Sequence, residues 1–372
     1  MKFSLQFLGS LSRTKRSIER PFPYLFVLSR FYCFMDSVSE LLSRAKERRR
    51  LSRQETEYLL SLPEDSSDVR LLIDTASSFI REANHDTASI CAQIGAIIGP
   101  CYADCGFCSF ASSFTDIEDF TIDSSLLGRY LDFFVKSGLV SCVSLMTIHG
   151  TDIDEILPLV RQARSILPDS LELQINTGDL SLSECRELKE AGVGCAYHAC
   201  RLGESLDNSL ELRDRYQTIR NYIAAGISVD SGVEPIGPEH SPKEILDIYW
   251  EAYEVGCRSC SASARIGVPG TRLYSRGEVS PLRLEQIRSA LVMGSTWCDR
   301  NPSGFYGGYY GGFNTALTEY SNSPKDANEI SEESMGHTIE WGVDVLRSKG
   351  YRFLRTSDGG RCGFDVLRYI KK

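Results

Sequence analysis

From about residue 88 one feature constrains the fold more than any other: short β-leaning runs alternate with helical patterns six times in succession. The runs are "SICAQIGAII", "CVSLMTIHG", "LELQINTG", "GCAYHAC", "ISVDSGVEPIG" and "SCSASARIGV". Between them stand helical patterns such as "SSLLGRYLDFFVKSG", "SECRELKEAG" and "PKEILDIYWEAYEVG", several closing on the glycine that a left-handed C-cap requires. Six strand–helix units in a row predict a parallel sheet with right-handed crossovers. The α/β fold class follows, with a partial or complete (βα)8 TIM-type barrel as the natural closure. A doubly wound sheet is the alternative, weakened because no G-x-G-x-x-G follows the first run.

The flanks read differently. From Met35 a helical lead-in runs to about residue 87, and Ser52 with Glu55 forms a capping-box signature in its second helix. Past residue 285 the alternation blurs, and "GFYGGYYGGFNTALTEY" reads as a loop over the barrel mouth or as irregular last strands. The expected organisation is therefore an extension over 1–34, helices over 35–87, a barrel core over 88–285 and a C-terminal barrel-closing region over 286–372. The extension carries six Lys/Arg against one acid, Glu19. It fits a transit peptide, a membrane-surface arm or translation from a start upstream of Met35, and is set aside for the fold.

The net charge of −9 excludes the basic stripe that a nucleic-acid binder needs. No stretch reaches the roughly 20 apolar residues of a membrane span. Thirteen cysteines in a long chain with no secretory signal point to reduced thiols and a cytoplasmic location, with organellar import through residues 1–34 left open.

Three of those thiols fall together in "GPCYADCGFCSF", as Cys101, Cys105 and Cys108, just after the first predicted strand. A structural zinc site wants four ligands, usually two C-x-x-C-like pairs. The one candidate second pair, Cys257 and Cys260, starts the sixth strand at the opposite end of a barrel. Three thiolates alone suit a 4Fe-4S cluster that keeps one iron without a protein ligand.

The C-x3-C-x2-C spacing, its place after the first strand, and Phe107 before the third cysteine resemble the radical S-adenosylmethionine superfamily. From about residue 50 to 275 the chain is similar to its biotin-synthase-like branch, through "LSLSECRELKEAGV", His198, "RYQTIRNYIAAGI" and "GVPGTRL". The resemblance implies a 4Fe-4S cluster on Cys101, Cys105 and Cys108, with S-adenosyl-L-methionine bound to its open iron. One electron then yields methionine and a 5′-deoxyadenosyl radical, which takes hydrogen from a small-molecule substrate. The same resemblance implies an electron donor such as ferredoxin or flavodoxin. It assigns Arg215 to the methionine carboxylate, His149 and Gly150 to the amino group, Asn176 to the ribose, and Phe107 and Ile266 to the cofactor's surroundings. The sequence lacks the Gly-Gly-Glu form of many members at 149–150.

Biotin synthase carries a second, 2Fe-2S cluster. By pattern Cys142 stands near one of its ligand positions, while Gln174 and Asp230 occupy two others. Cys200 and Cys298 are candidate thiols on the top face, and Glu319 and His337 are weaker candidates. Arg201, Asp230, Glu234 and Arg265, at strand ends, offer charge to a polar or carboxylate-bearing substrate such as an amino acid or cofactor precursor. The expected activity lies in cofactor or unusual amino-acid biosynthesis. Sulfur insertion of the biotin or lipoyl type is the rival enzyme reading, and a non-catalytic iron–sulfur or zinc protein is the rival of another class.

Overall fold

The computed structural model describes residues 36–296, 314–321 and 337–365. The chain divides into two compact units, Met1–Ser37 and Val38–Lys372, and every helix and strand named below belongs to the second. The basic extension and Cys298 lie outside the described residues.

Three lead-in helices, α1 (Val38–Lys46), α2 (Arg53–Ser61) and α3 (Ser67–Ala83), precede the sheet. Ser52 and Glu55 form the reciprocal capping box read from the sequence, closing two orphan amides at the start of α2. The sheet then builds in chain order: β1 (Thr87–Ile98), β2 (Phe120–Thr121), β3 (Cys142–Thr147), β4 (Glu172–Asn176), β5 (Cys195–Tyr197), β6 (Ser228–Ile236) and β7 (Ser259–Ala264). The connecting helices are α4 (Ser124–Ser137), α5 (Ile153–Ile166), α6 (Leu182–Glu190), α7 (Leu212–Ala224) and α8 (Pro242–Val255). Strands β1, β3, β4, β5, β6 and β7 pair in that order, all parallel. Beyond β7 come α9 (Pro281–Gly294), β8 (Thr315–Tyr320), α10 (Ile339–Ser348), β9 (Phe353–Arg355) and β10 (Arg361–Gly363). β8 pairs in parallel with the other side of β1. The result is a partial barrel: among the described residues β7 and β8 do not pair with each other. The "TALTEY" part of the ambiguous C-terminal stretch is thus a barrel strand.

Side-chain alternation sorts each strand into two faces. Outward residues Ile90, Ala92 and Ile94 on β1, Val143 and Leu145 on β3, Leu173 and Ile175 on β4, and Ala262 on β7 join one apolar core with the helices. Inward residues are of another kind. Gln93, Ser144, Gln174 and Cys195 face each other across neighbouring strands in register. Barrel interiors of this type are ordinarily filled with bulky branched side chains; this one is small and polar. No helix among the described residues is long and apolar enough to cross a membrane.

Candidate active site

The segment after β1 folds back on itself. The Cys101 amide donates to the Phe110 carbonyl at 2.7 Å, and the Ser112 amide to the Cys101 carbonyl at 3.1 Å. Within that ring the Cys108 amide donates to the Cys105 carbonyl at 3.0 Å, and the Asp104 carboxylate accepts from the Ser113 amide at 2.9 Å. Two distant loops fasten it. The Gly106 amide donates to the Asp207 carbonyl and the Gly106 carbonyl accepts from the Leu273 amide, both at 2.8 Å. Arg272 Nη2 bridges the carbonyls of Asp104 and Asp207 at 2.6 and 3.1 Å. The "VPGTRL" turn therefore braces the cysteine loop, and Ile266 before it, assigned by resemblance to the cofactor's surroundings, is 54 % exposed and outside the pocket.

Cys101, Cys105 and Cys108, none in a disulfide, share one pocket with Phe107, His149, Asn176, Arg201 and Arg215, above an apolar wall that includes Ile98, Phe110 and Met146. Burial pushes the Cys101 thiol above its ordinary pKa, against the pull of the Ala103 and His149 backbone. Loading a metal here accordingly releases protons. No group of three or more His, Cys, Asp or Glu side chains among the described residues converges to hold a single ion. Three half-buried thiols lining one pocket fit a multi-iron cluster, whose thiolates take different irons.

A charged junction adjoins the pocket at the ends of β3, β4 and β5. Asp179 Oδ1 accepts from Arg215 Nη1 at 2.8 Å and from the Thr218 hydroxyl at 3.1 Å. His149 Nε2 lies 3.7 Å from Asp179 Oδ2, and His198 Nε2 lies 3.2 Å from Oδ1 without the alignment of a hydrogen bond. Burial opposes the Asp179 charge, yet the Arg215 guanidinium bonded to it holds its carboxyl below the usual carboxylate range. Burial and the Arg215 charge keep both imidazoles neutral, His149 at about 4 and His198 at about 3. Arg215 also donates from Nη2 to the Ala199 carbonyl at 3.0 Å, while its buried Nε has no partner among the described residues. That orphan donor beside the thiols suits an anionic ligand. Gly150, at φ +88°, lies under the Tyr102 ring, where a Cβ would collide.

Asp179 and Tyr102 escaped the sequence reading. "NTGDLSLSE" reads as a turn before a capped helix; the available signal was its position just past a strand's C-terminal end, where barrel sites collect.

The other predicted charges separate. Arg201 and Glu234 pair at 3.4 Å inside the barrel. Arg265 is 2 % exposed, bound to Glu239 and the Gly277 carbonyl, and does not line the pocket. Asp230 is fully buried in a network lower in the lumen. It accepts from Arg258 at 2.7 Å, from Gln174 at 3.1 Å and from the Ser259 hydroxyl at 2.5 Å, while Arg258 forks onto Glu172. Cys142 lies against Cys91, and the Cys195 thiol lies 3.1 Å from Asp230 Oδ2. These lumen thiols border an ion-paired floor of Arg258, Asp230 and Glu172, and Gln174 and Asp230 stand in the two other ligand positions. Cys200 is buried in the apolar core and is no surface thiol. Glu319 stands in register with Gln93, and exposed His337 stacks on Trp341.

No protein-family model matches the chain. It is 24 % identical to biotin synthase of Persephonella marina over 265 residues, 68 % of this chain and 77 % of that one. It is 27 % identical to biotin synthase of Desulforudis audaxviator over 245 residues, 63 % and 73 % of the two chains. In fold it is similar to methylornithine synthase (TM-score 0.68, 16 % identity, 83 % of this chain and 96 % of that chain). It is equally similar to the FeFe-hydrogenase maturase HydG from Carboxydothermus hydrogenoformans (TM-score 0.68, 15 % identity, 88 % and 82 %).

Proposed function

Because the chain is a radical S-adenosylmethionine enzyme of the biotin-synthase-like group, we propose that Cys101, Cys105 and Cys108 carry one 4Fe-4S cluster with S-adenosylmethionine as its ligand, and that the enzyme acts on a small polar molecule in cofactor or unusual amino-acid biosynthesis. When bound, that pair would supply one-electron radical chemistry for taking a hydrogen atom from the substrate, the electron coming from an external donor.

The chain's own residues bind, orient and shield. The fastened loop sets the three thiols before metal arrives. Arg215, fixed by Asp179 and Ala199, would hold the cofactor's carboxylate through its remaining donor, Nε. His149 presents its backbone carbonyl beside Cys101, 4.0 Å from Sγ, where it would accept from the cofactor's amino group. Asn176, also on the pocket wall, would meet the ribose hydroxyls, and Phe107 with Met146 would keep water from the bound cofactor. The electron donor is a small redox protein of the ferredoxin or flavodoxin type.

The observation that carries this reading is three thiols of one self-closed loop sharing a pocket with an arginine whose buried Nε is orphaned. The single-cluster form is favoured over sulfur insertion by the Arg258–Asp230–Glu172 floor. Anaerobic reconstitution should give about four irons per chain, and reduction with S-adenosylmethionine should release 5′-deoxyadenosine. Cys105→Ala should abolish both. An intact, reduced cluster that releases no nucleoside would leave only the non-catalytic reading, and a reproducible iron count near six would restore sulfur insertion.

A further inference from the structure

Two guanidinium groups line the pocket beside the cysteines, and the fold treats them differently. Arg215 commits both terminal nitrogens to protein groups. Arg201, just past β5, has its Nε 3.4 Å from Glu234 Oε1, and its terminal nitrogens make no hydrogen bond to a described residue. Its side chain is 14 % exposed, and that exposure opens on the pocket. A planar fork anchored on one edge, with the other edge facing a cavity, is a receptor for a carboxylate. A bound carboxylate on that edge leaves the guanidinium standing between two anions.

The lumen beneath offers further polar atoms. Over Gly232 the Tyr197 hydroxyl, the Ser261 hydroxyl and the Glu234 carboxylate converge, and a Cβ at 232 would strike the phenol oxygen. The Ser144 hydroxyl, fully buried and inward on β3 between Gln93 and Gln174, has no partner among the described residues. An orphan hydroxyl inside a barrel is a donor awaiting an acceptor.

We propose that Arg201 anchors a carboxylate of the substrate, so that the enzyme acts on a small carboxylic acid whose second polar group meets the Ser144 hydroxyl. The reaction part of this inference rests on the radical-enzyme reading; the binding part does not.

The test uses the full chain, as purified and after reconstitution, with a matched series: hexanoate, 6-hydroxyhexanoate and hexylamine. Calorimetry and thermal shift should show both carboxylates binding, the hydroxy acid more tightly, and the amine not. Arg201→Gln should weaken carboxylate binding by about tenfold or more, the loss of a charged hydrogen-bonded fork. Arg201→Lys, which keeps charge and bulk, should recover only part of it. Ser144→Ala should remove the advantage of the hydroxy acid over hexanoate. Preferential binding of the amine, or equal binding of carboxylates by wild type and Arg201→Gln, overturns the proposal. So does a loss of S-adenosylmethionine affinity in Arg201→Gln that exceeds the loss for carboxylates, which would hand Arg201 to the cofactor. If carboxylate binding depends on Arg201 while the wild type releases no 5′-deoxyadenosine, the reaction reading fails and the anchor stands.

Discussion

Asp179 joins parts of the site that the sequence presents separately. His149 follows β3, Asp179 follows β4, His198 follows β5 and Arg215 lies on α7, yet one carboxylate touches or approaches all three partners. The cysteines were legible because their chemistry is written in spacing. Asp179 was not, because its role comes from strand order, which places residues 149, 179 and 198 side by side at one end of a sheet. The junction also makes stability depend on pH. The folded His198 imidazole refuses a proton that the unfolded chain takes up near pH 6.5, so stability is lost as pH falls through the window from about 6.5 toward 3. Thermal melts of wild type should lose stability by about 2–3 kcal/mol between pH 6.5 and 4.5 from this group. His198→Gln should show a smaller decline across the same interval. Parallel declines in the two proteins would remove His198 as the source.

At the scale of elements, the strand and helix order was readable, while the fastening of the cysteine loop was not. The alternation of β1 and β3–β7 with α4–α8 follows from period and caps, as at Ser241, whose capping box with Glu244 opens α8. The loop's staples come from residues 207, 272 and 273, roughly a hundred positions or more away, and no local pattern announces them. Arg272 is half exposed and would pass for a solvated surface arginine, yet it holds two carbonyls from different loops. Arg272→Ala should therefore act on metal retention more than on fold. Its two hydrogen bonds contribute about 1–3 kcal/mol together, felt locally. Chelator challenge of reconstituted protein should bleach the cluster several-fold faster in the variant, with a melting temperature within a few degrees of wild type. Equal bleaching rates would show that the loop holds its shape without this arginine.

For the whole molecule, the segment after residue 285 blurred in the sequence because α9 is buried on nearly every side. A helix enclosed all round has no single apolar stripe for periodicity to find. It packs on the lead-in helices α2 and α3 and reaches β7, where Arg288 donates to the Ala262 carbonyl at 2.9 Å. Gln286 is the seam: its side-chain amide donates to the carbonyls of Leu59 and Leu62 at 3.1 and 2.9 Å, satisfying acceptors that the end of α2 leaves open. Gln286→Leu keeps the volume and removes those donors, and should lower unfolding free energy by about 1–3 kcal/mol in denaturant titrations. An unchanged midpoint would mean that water reaches those carbonyls.

Among the described residues, the sides of β7 and β8 that carry no partner strand have a consequence for how such a protein diversifies. A fully closed ring of strands has its radius fixed by strand number and stagger. Among the described residues the ladder ends before the circle does, and over that stretch the bore is set by side chains and flanking helices. Single substitutions along that rim can widen or narrow the chamber without rupturing one inter-strand bond, which lets the same scaffold be refitted to guests of different girth.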